Sequence, residues 1–392
     1  MNILQLTRTA MYPPQNGAEV RLWNTAQKMT EFGDLWVAAP PSSEQPSNDI
    51  EWIDLTSPLF TRQPIWNELW TGLFLFSERH PLRKLLTRSL VRTVNSLGIS
   101  FDVIVCEFPQ VTDAAVQLSA EHDAVMLLNK HNAEHTILDG YLQERGVPDL
   151  LRRRTVENFY SFEKQAISAA DITVFQSKDD QARFEETPGT ETFVIPNGCD
   201  FQWIRDGGNP AQAARECGID ENVFTCVFLG SYDYAPNRRA ATVISEEIAP
   251  EFDDVTFLLI GRNPPSTSAS NVYTPGYVDE LPGALQLADI ALCPLFSGSG
   301  TKLKMLDYLA AGLPTITTPV GAQGLTVEDG KDVLIYEDAH GFVRGIEQLR
   351  SSNELRHRLA AAGPEIASNH SWDSLMDQYD RVFELITGDQ DT

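Results

Sequence analysis

The polar and apolar positions of the chain switch between two periods. Short, nearly continuous apolar runs recur at Asn2–Thr7, Leu35–Ala39, Asp102–Cys106, Ala124–Asn129, Ile172–Gln176 and Thr192–Ile195. A second series follows at Val223–Leu229, Val255–Gly261, Asp289–Pro294, Pro314–Thr318 and Asp332–Tyr336. Between them lie amphipathic stretches of helical period, among them Ala18–Phe32, Val156–Ala170, Arg238–Phe252, Thr301–Ala311 and Gly341–Arg350. Strands apolar on both faces, alternating with helices, predict parallel sheets covered on both sides. The polar stretch Asp200–Asn222, holding GGNPAQ, separates the two series and reads as a linker. The expected class is therefore α/β, with two doubly wound Rossmann-like domains over residues 1–205 and 206–371. A last helix over 372–392 is expected to pack back on the first domain. Ligands of such sheets bind beyond the carboxyl ends of the strands, so a site is expected where the two domains face each other across a cleft.

Composition narrows the picture. With 42% hydrophobic and 22% charged residues in 392, the chain can build a core and is not a disordered one. No apolar run reaches the ~18 residues of a membrane-spanning helix. The start, MNILQLTRTAMYPP, lacks a basic segment followed by a long apolar one, so a signal peptide is not expected and a cytoplasmic place is. Cys106, Cys199, Cys217, Cys226 and Cys293 are scattered through apolar runs, without disulfide or zinc spacing. The formal net charge of −25 argues against a general nucleic-acid binder, which gains most of its affinity by neutralising phosphates. Only 8 of the 30 basic residues are Lys, and an acidic, lysine-poor surface suits solubility in concentrated salt.

Candidate chemistry concentrates in the second half. Between Ser297 and Gly324 the chain reads SGSGTKLKMLDYLAAGLPTITTPVGAQG. A strand ends at Pro294, and the turn Gly298-Ser299-Gly300 leads into a helix expected to begin near Thr301. Such a turn exposes backbone N–H groups at a helix N-terminus, where an anion is favoured. Small residues there let a diphosphate approach the backbone. Lys302 and Lys304 add positive charge, and Asp307, two turns along, can accept hydrogen bonds from ribose hydroxyls.

These motifs resemble those of glycosyltransferase family 4, a group with the two-domain GT-B fold. Its usual E-x7-E stands here as Ser299-x7-Asp307, in the GSGTKLKMLDYLAAGLPTI form of one branch of the family. PPQNGAEVRLWNTAQKM near the start, VIPNGCD (194–200), FLGSYDYAPN (228–237), LLIGRNPP (258–265), TPGYVDELPGALQLADIALCPL (274–295) and TTPVGAQGL (317–325) are similar to further family elements in the same order. The resemblance implies a donor site made by Gly17, Asn197, Arg238, Arg262, Ser299, Gly300, Thr301, Lys302, Lys304 and Asp307. The Arg and Lys that the family places after the first strand of its second domain are absent. Ser231 and Pro236–Asn237 occupy that stretch, and phosphate charge falls to Lys302, Lys304, Arg262, Arg238 or Arg239.

Two features of the first half complete the reading. The polar cluster Asn129–His135 follows a buried strand at its C-terminal end, where sites form. His131 is a candidate to bond the sugar or orient an acceptor. Its i,i+4 partner His135 lacks the third ligand that zinc requires. Glu107, at another strand end, is either an acceptor-side base or a charge at a helix N-terminus. Residues 79–100 carry Arg79, Arg83, Lys84, Arg88 and Arg92 and no acid, after the aromatic-rich IWNELWTGLFLF (65–76). A basic amphipathic segment of this kind, here 65–97, suits peripheral contact with an anionic bilayer. What the resemblance implies is a retaining transfer of a hexose from a nucleotide-diphosphate sugar to a hydroxyl of a glycan or lipid-linked acceptor. No metal or other cofactor is expected, nor a nucleic-acid partner, and the inner face of the plasma membrane is a further expected place. A nucleotide-sugar 2-epimerase of similar fold and a non-catalytic nucleotide-sugar binding subunit are the alternatives.

Overall fold

The computed structural model describes residues 1–14, 17–42, 44, 46, 49–56, 81–187, 189–298 and 301–388. Two compact units make up the chain: Met1–Pro196 with Met376–Thr392, and Asn197–Leu375.

The first unit holds the strands β1 (Asn2–Leu6), β2 (Asp34–Ala39), β3 (Ile50–Asp54), β4 (Val103–Cys106), β5 (Val125–Lys130), β6 (Ile172–Phe175) and β7 (Glu191–Val194). They form one sheet in the order β3-β2-β1-β4-β5-β6-β7, every neighbour parallel. Its helices are α1 (Gly17–Met29), α2 (Pro81–Asn95), α3 (Thr112–His122), α4 (Glu134–Glu144), α5 (Asp149–Ala169) and α6 (Lys178–Ala182). In this doubly wound order the strand sequence reverses between β1 and β4, the place where such sheets bind ligands. The central strands are buried on both faces, as their unbroken apolar runs require.

The second unit holds α7 (Phe201–Asp206), α8 (Pro210–Cys217), β8 (Thr225–Leu229), α9 (Ala235–Val243), β9 (Thr256–Ile260), β10 (Val272–Gly276), α10 (Leu281–Leu287), β11 (Ile290–Cys293), α11 (Leu303–Ala310), β12 (Thr315–Thr317), β13 (Leu334–Ile335), α12 (Ala339–Ser351), α13 (Asn353–Ser368) and α14 (Trp372–Met376), whose last residue counts with the first unit. Its parallel sheet runs β10-β9-β8-β11-β12-β13, with the reversal between β8 and β11. Phe228, Phe257, Leu258, Ile290, Leu306, Tyr308 and Phe342 sit wholly inside the core around it.

Two strands escaped the sequence pattern, and both are edges. β3 (IEWID) is polar at alternate positions, and β10 (VYTPG) contains a proline, which only an edge strand tolerates. The expected linker Asp200–Asn222 is instead largely helical, and the units divide at Pro196/Asn197, before it. Its loop-like residues are helix ends. Asp200 Oδ1 accepts from the Trp203 N–H at the start of α7, and Asn209 Oδ1 from the Gln212 N–H at the start of α8. Pro210 opens α8, and Gly218 closes it in the left-handed conformation.

The chain returns to the first unit through α15 (Gln378–Gly388). Phe383 stacks on Phe32 with centroids 4.0 Å apart. The nearly buried Lys28 ammonium meets Asp380 at 2.9 Å and Asp377 at 3.4 Å. Burial opposes the charge on Lys28, but Glu31 and Asp380 outweigh it and raise its pKa.

Candidate functional site

In the second unit the site residues gather at the carboxyl ends of β8, β9 and β11. Gly230 and Gly261, just past β8 and β9, pack backbone against backbone: a Cβ on Gly261, at φ +134°, would run into the Gly230 carbonyl. A Cβ on Gly230 would meet the side chain of Asn237 at 2.9 Å, so this glycine leaves room for that side chain. Asn237, buried at the start of α9, donates from Nδ2 to the Ser231 carbonyl at 2.8 Å. Its Oδ1 accepts from Lys304 Nζ at 2.7 Å. The same ammonium lies 4.1 Å from the centroid of the Phe228 ring.

The helix α11 presents the rest. Its apolar Met305, Leu306, Leu309 and Ala310 face the core. It ends in a Schellman turn, where Gly312 (φ +67°) donates to Leu309 and Leu313 to Tyr308. It begins at Leu303, two residues later than the sequence suggested, with extended Lys302 ahead of it and, among the described residues, no side chain capping that end. Lys302 is 8% exposed, and a Cβ on Gly298 would lie 3.9 Å from its ammonium. Thr301 lies against the TTPVGAQGL segment: a Cβ on Gly324 would overlap its hydroxyl. Ser299 and Gly300 lie outside the described residues.

The charges of this site are perturbed by their surroundings. Asp307 keeps part of its surface in solvent; burial of the rest, then the neighbouring Asp200, raises its pKa to about 7, with Lys304 opposing. Burial lowers Lys304 to about 8. Asp200 belongs to the turn Asn197-Gly198-Cys199-Asp200, which is tied down by backbone bonds from Cys199 to His370 and from Trp372 to Cys199. A Cβ on Gly198 would meet the His370 carbonyl at 2.8 Å. The two candidate arginines are exposed. Arg238 uses Nη1 to close its own turn onto the carbonyls of Tyr232 (2.8 Å) and Asp233 (2.6 Å), while the Arg262 carbonyl accepts from the Tyr232 N–H. Sequence reasoning missed Asn237, whose role depends on a residue 67 positions away.

The first unit has its own constellation at the ends of β1, β4 and β5. Glu107 is wholly buried and accepts at Oε1 from Gln5 Nε2 (2.6 Å) and Asn129 Nδ2 (3.0 Å), while Oε2 faces His131 Nε2 at 3.0 Å. Phe108 stacks on the His131 ring with centroids 4.6 Å apart. Both Glu107 oxygens are thus engaged, one of them against His131, and the side chain has no exposed surface. His135 turns to a different carboxylate, Glu163, at 2.7 Å, so the two histidines do not share a ligand. Glu163 is also bonded by Lys130 and by the N–H groups of Glu134 and His135. Gly17 is the first residue of α1, next to Gln15 and Asn16, which lie outside the described residues. Among the described residues no group of three or more His, Cys, Asp or Glu could hold a metal ion.

The basic segment is only partly a free face. Arg83 is turned inward, with Nη2 2.7 Å from Asp113 Oδ1 and its guanidinium over Phe162 at 4.2 Å. Leu86, Leu90, Val91 and Val94 are buried, and Lys84, Leu85, Arg88 and Arg92 form the exposed side of α2. Arg79 and the run 65–76 lie outside the described residues. Among the described residues no helix is long and apolar enough to cross a membrane.

Two doubly wound α/β units of this kind define the GT-B fold class. Sucrose-phosphate synthase from Thermosynechococcus elongatus superposes with a TM-score of 0.74 at 14% identity, covering 99% of each chain. Anabaena HepE, solved in complex with UDP and glucose, gives 0.68 at 16% identity over 98% of this chain and 99% of that one. Residues 223–352, all within the second unit, match the family model for glycosyl transferases group 1. Phosphatidyl-myo-inositol mannosyltransferase of Mycobacterium tuberculosis is 26% identical over 220 residues, 52% of this chain and 56% of that protein. D-inositol 3-phosphate glycosyltransferase of Thermobifida fusca is 23% identical over 55% of each. The chain thus spans about half the length of the curated relatives it matches.

Proposed function

We propose that the protein is a retaining glycosyltransferase that moves a hexose from a nucleoside-diphosphate sugar to a hydroxyl of a lipid-linked or glycan acceptor. The observation that carries this reading is the group at the start of α11: a helix end that no side chain among the described residues caps, Lys302 buried and Lys304 half-buried beside it, and Asp307 on that helix. Diphosphate charge is met there by Lys302, Lys304 and the helix terminus, and ribose hydroxyls by Asp307. Lys304, held by Asn237, stands in for the charge that the family places in the stretch from Ser231 to Asn237.

As the bond from the anomeric carbon to the phosphate oxygen breaks, its electron pair goes to the diphosphate. Fixed positive charge stabilises the developing anion most when it need not reorganise. The acceptor oxygen bonds the anomeric carbon on the face the diphosphate leaves, and the departing phosphate oxygen takes the acceptor's proton. Configuration is retained without a second carboxylate.

Neighbours solved with UDP and with UDP-glucose support a nucleoside-diphosphate donor, and relatives named phosphatidyl-myo-inositol mannosyltransferases support a lipid acceptor. The test is a calorimetric screen of nucleoside diphosphates, then incubation of the matching nucleotide sugars with phospholipid and glycan acceptors. Transfer product with retained configuration is expected. An isomerised donor, or binding without turnover under every acceptor, would sink the reading.

A further inference from the structure

Four side chains of the first unit form a chain of hydrogen bonds with a direction. The Tyr379 hydroxyl, from α15, donates to Asn129 Oδ1 at 2.9 Å. An amide whose oxygen is taken in this way must turn its NH2 the other way, and Asn129 Nδ2 duly lies 3.0 Å from Glu107 Oε1. That oxygen also receives the Gln5 amide. Two donors on one oxygen favour a carboxylate, which only accepts, so the bond at Oε2 places the proton on His131 Nε2. The other ring nitrogen, Nδ1, is buried without a partner among the described residues, on a side chain only 3% exposed. Such an atom costs free energy unless something meets it. Phe108, stacked at 15° on the ring, fixes the plane of the imidazole.

We propose that the chain Tyr379–Asn129–Glu107–His131 fixes His131 as the Nε2–H tautomer and so presents Nδ1 as the acceptor for a sugar hydroxyl, with Glu107 and Tyr379 as positioning residues. The hydroxyl partner rests on the sugar-transfer reading above; the tautomer does not. The arrangement makes the ring a recipient of O–H and not a donor to a sugar oxygen, which selects for a hydroxyl at that point of the substrate. It also gives α15 a part in the site, since loss of its Tyr379 hydroxyl frees the Asn129 amide to flip.

Two-bond proton–nitrogen spectra of the full chain labelled with 15N-histidine test this directly, with His131→Gln identifying the resonance. Wild type is expected to show protonated Nε2 and bare Nδ1, and Nδ1 is expected to shift when a nucleotide sugar binds. Glu107→Gln turns an NH2 toward Nε2, so the tautomer should switch. In that variant kcat should fall about 10²-fold while the KM for donor holds, the scale on which positioned acid–base groups act. Tyr379→Phe should move both in the same direction by less. A wild-type Nδ1–H tautomer, which a protonated Glu107 would impose, overturns the proposal. So does a Glu107→Gln variant that keeps its tautomer. Calorimetric binding of a nucleotide sugar that leaves Nδ1 unmoved refutes the hydroxyl contact while sparing the transfer reading. Failure to bind any nucleotide sugar removes that reading and the contact together, and the spectra still decide the tautomer.

Discussion

Asp307 shows how a carboxylate withdrawn from water weighs on a fold. Its folded pKa of about 7 stands well above that of a free aspartate, ~3.9. Between those values the folded state holds a proton that the unfolded state has lost, so this group lowers stability as pH rises from about 4 to 7, and its full cost persists above. Lys304, lowered to about 8, acts with the opposite sign: its cost is complete below that pH and fades toward about 10.4. Asp307→Asn should therefore raise Tm by about 2–4 °C at pH 8 and by only about a third of that at pH 5, by scanning calorimetry. The same variant should bind nucleoside diphosphate roughly 10-fold more weakly or worse; an equal Tm gain at both pH values would refute the buried charge. Glu163 behaves differently. Burial raises its carboxyl, but Lys130 and His135 hold it below the usual range, so its support is present above about pH 4.5 and is lost in acid. Glu163→Gln leaves Lys130 buried beside a neutral amide and should cost about 3–5 kcal/mol in urea unfolding, the scale for breaking a buried pair. Asp307 and the two lysines could be read together in the sequence because they fall within one short run, Lys302 just ahead of α11 and the other two on it. Asn237 and the full burial of Glu107 were not, because each depends on side chains brought together from distant segments.

At the level of elements, apolar pattern revealed what is buried and missed what is half-wet. The central strands read clearly; edge strands β3 and β10 did not, and the caps of α7 and α8 passed for a linker. The basic stretch was visible as composition, but only packing separates its two roles. Arg83 lies against Asp113 and Phe162, whereas Lys84, Arg88 and Arg92 share the exposed side of α2. Each cation near an anionic bilayer contributes about 1 kcal/mol, an attraction that salt screens. Replacing Lys84, Arg88 and Arg92 together by Gln should abolish flotation with phosphatidylserine liposomes at low salt and leave nucleotide affinity intact. Arg83→Gln should instead lower Tm. A wild type indifferent to such liposomes would turn the reading toward a soluble acceptor.

On the scale of the whole molecule, a net charge of −25 makes self-repulsion a constant opponent of compactness. Raising salt from 0.1 to 1 M shortens the screening length from about 10 to 3 Å, and Tm should rise across that range; a falling Tm would mean that attractive pairs dominate. The first unit is also interrupted: Asn197–Leu375 form the second unit in full before the chain returns with α15, which supplies the Lys28 and Asn129 contacts. Order of synthesis then matters. A ribosome finishes the whole second unit while the first still waits for a piece of itself, its Lys28 ammonium and Asn129 amide without the partners that α15 brings. Domains generally fold as they emerge, N-terminal first. Here the unit that starts first is completed last, so a nascent chain arrested before Met376 should hold a protease-resistant second unit beside a protease-sensitive first one.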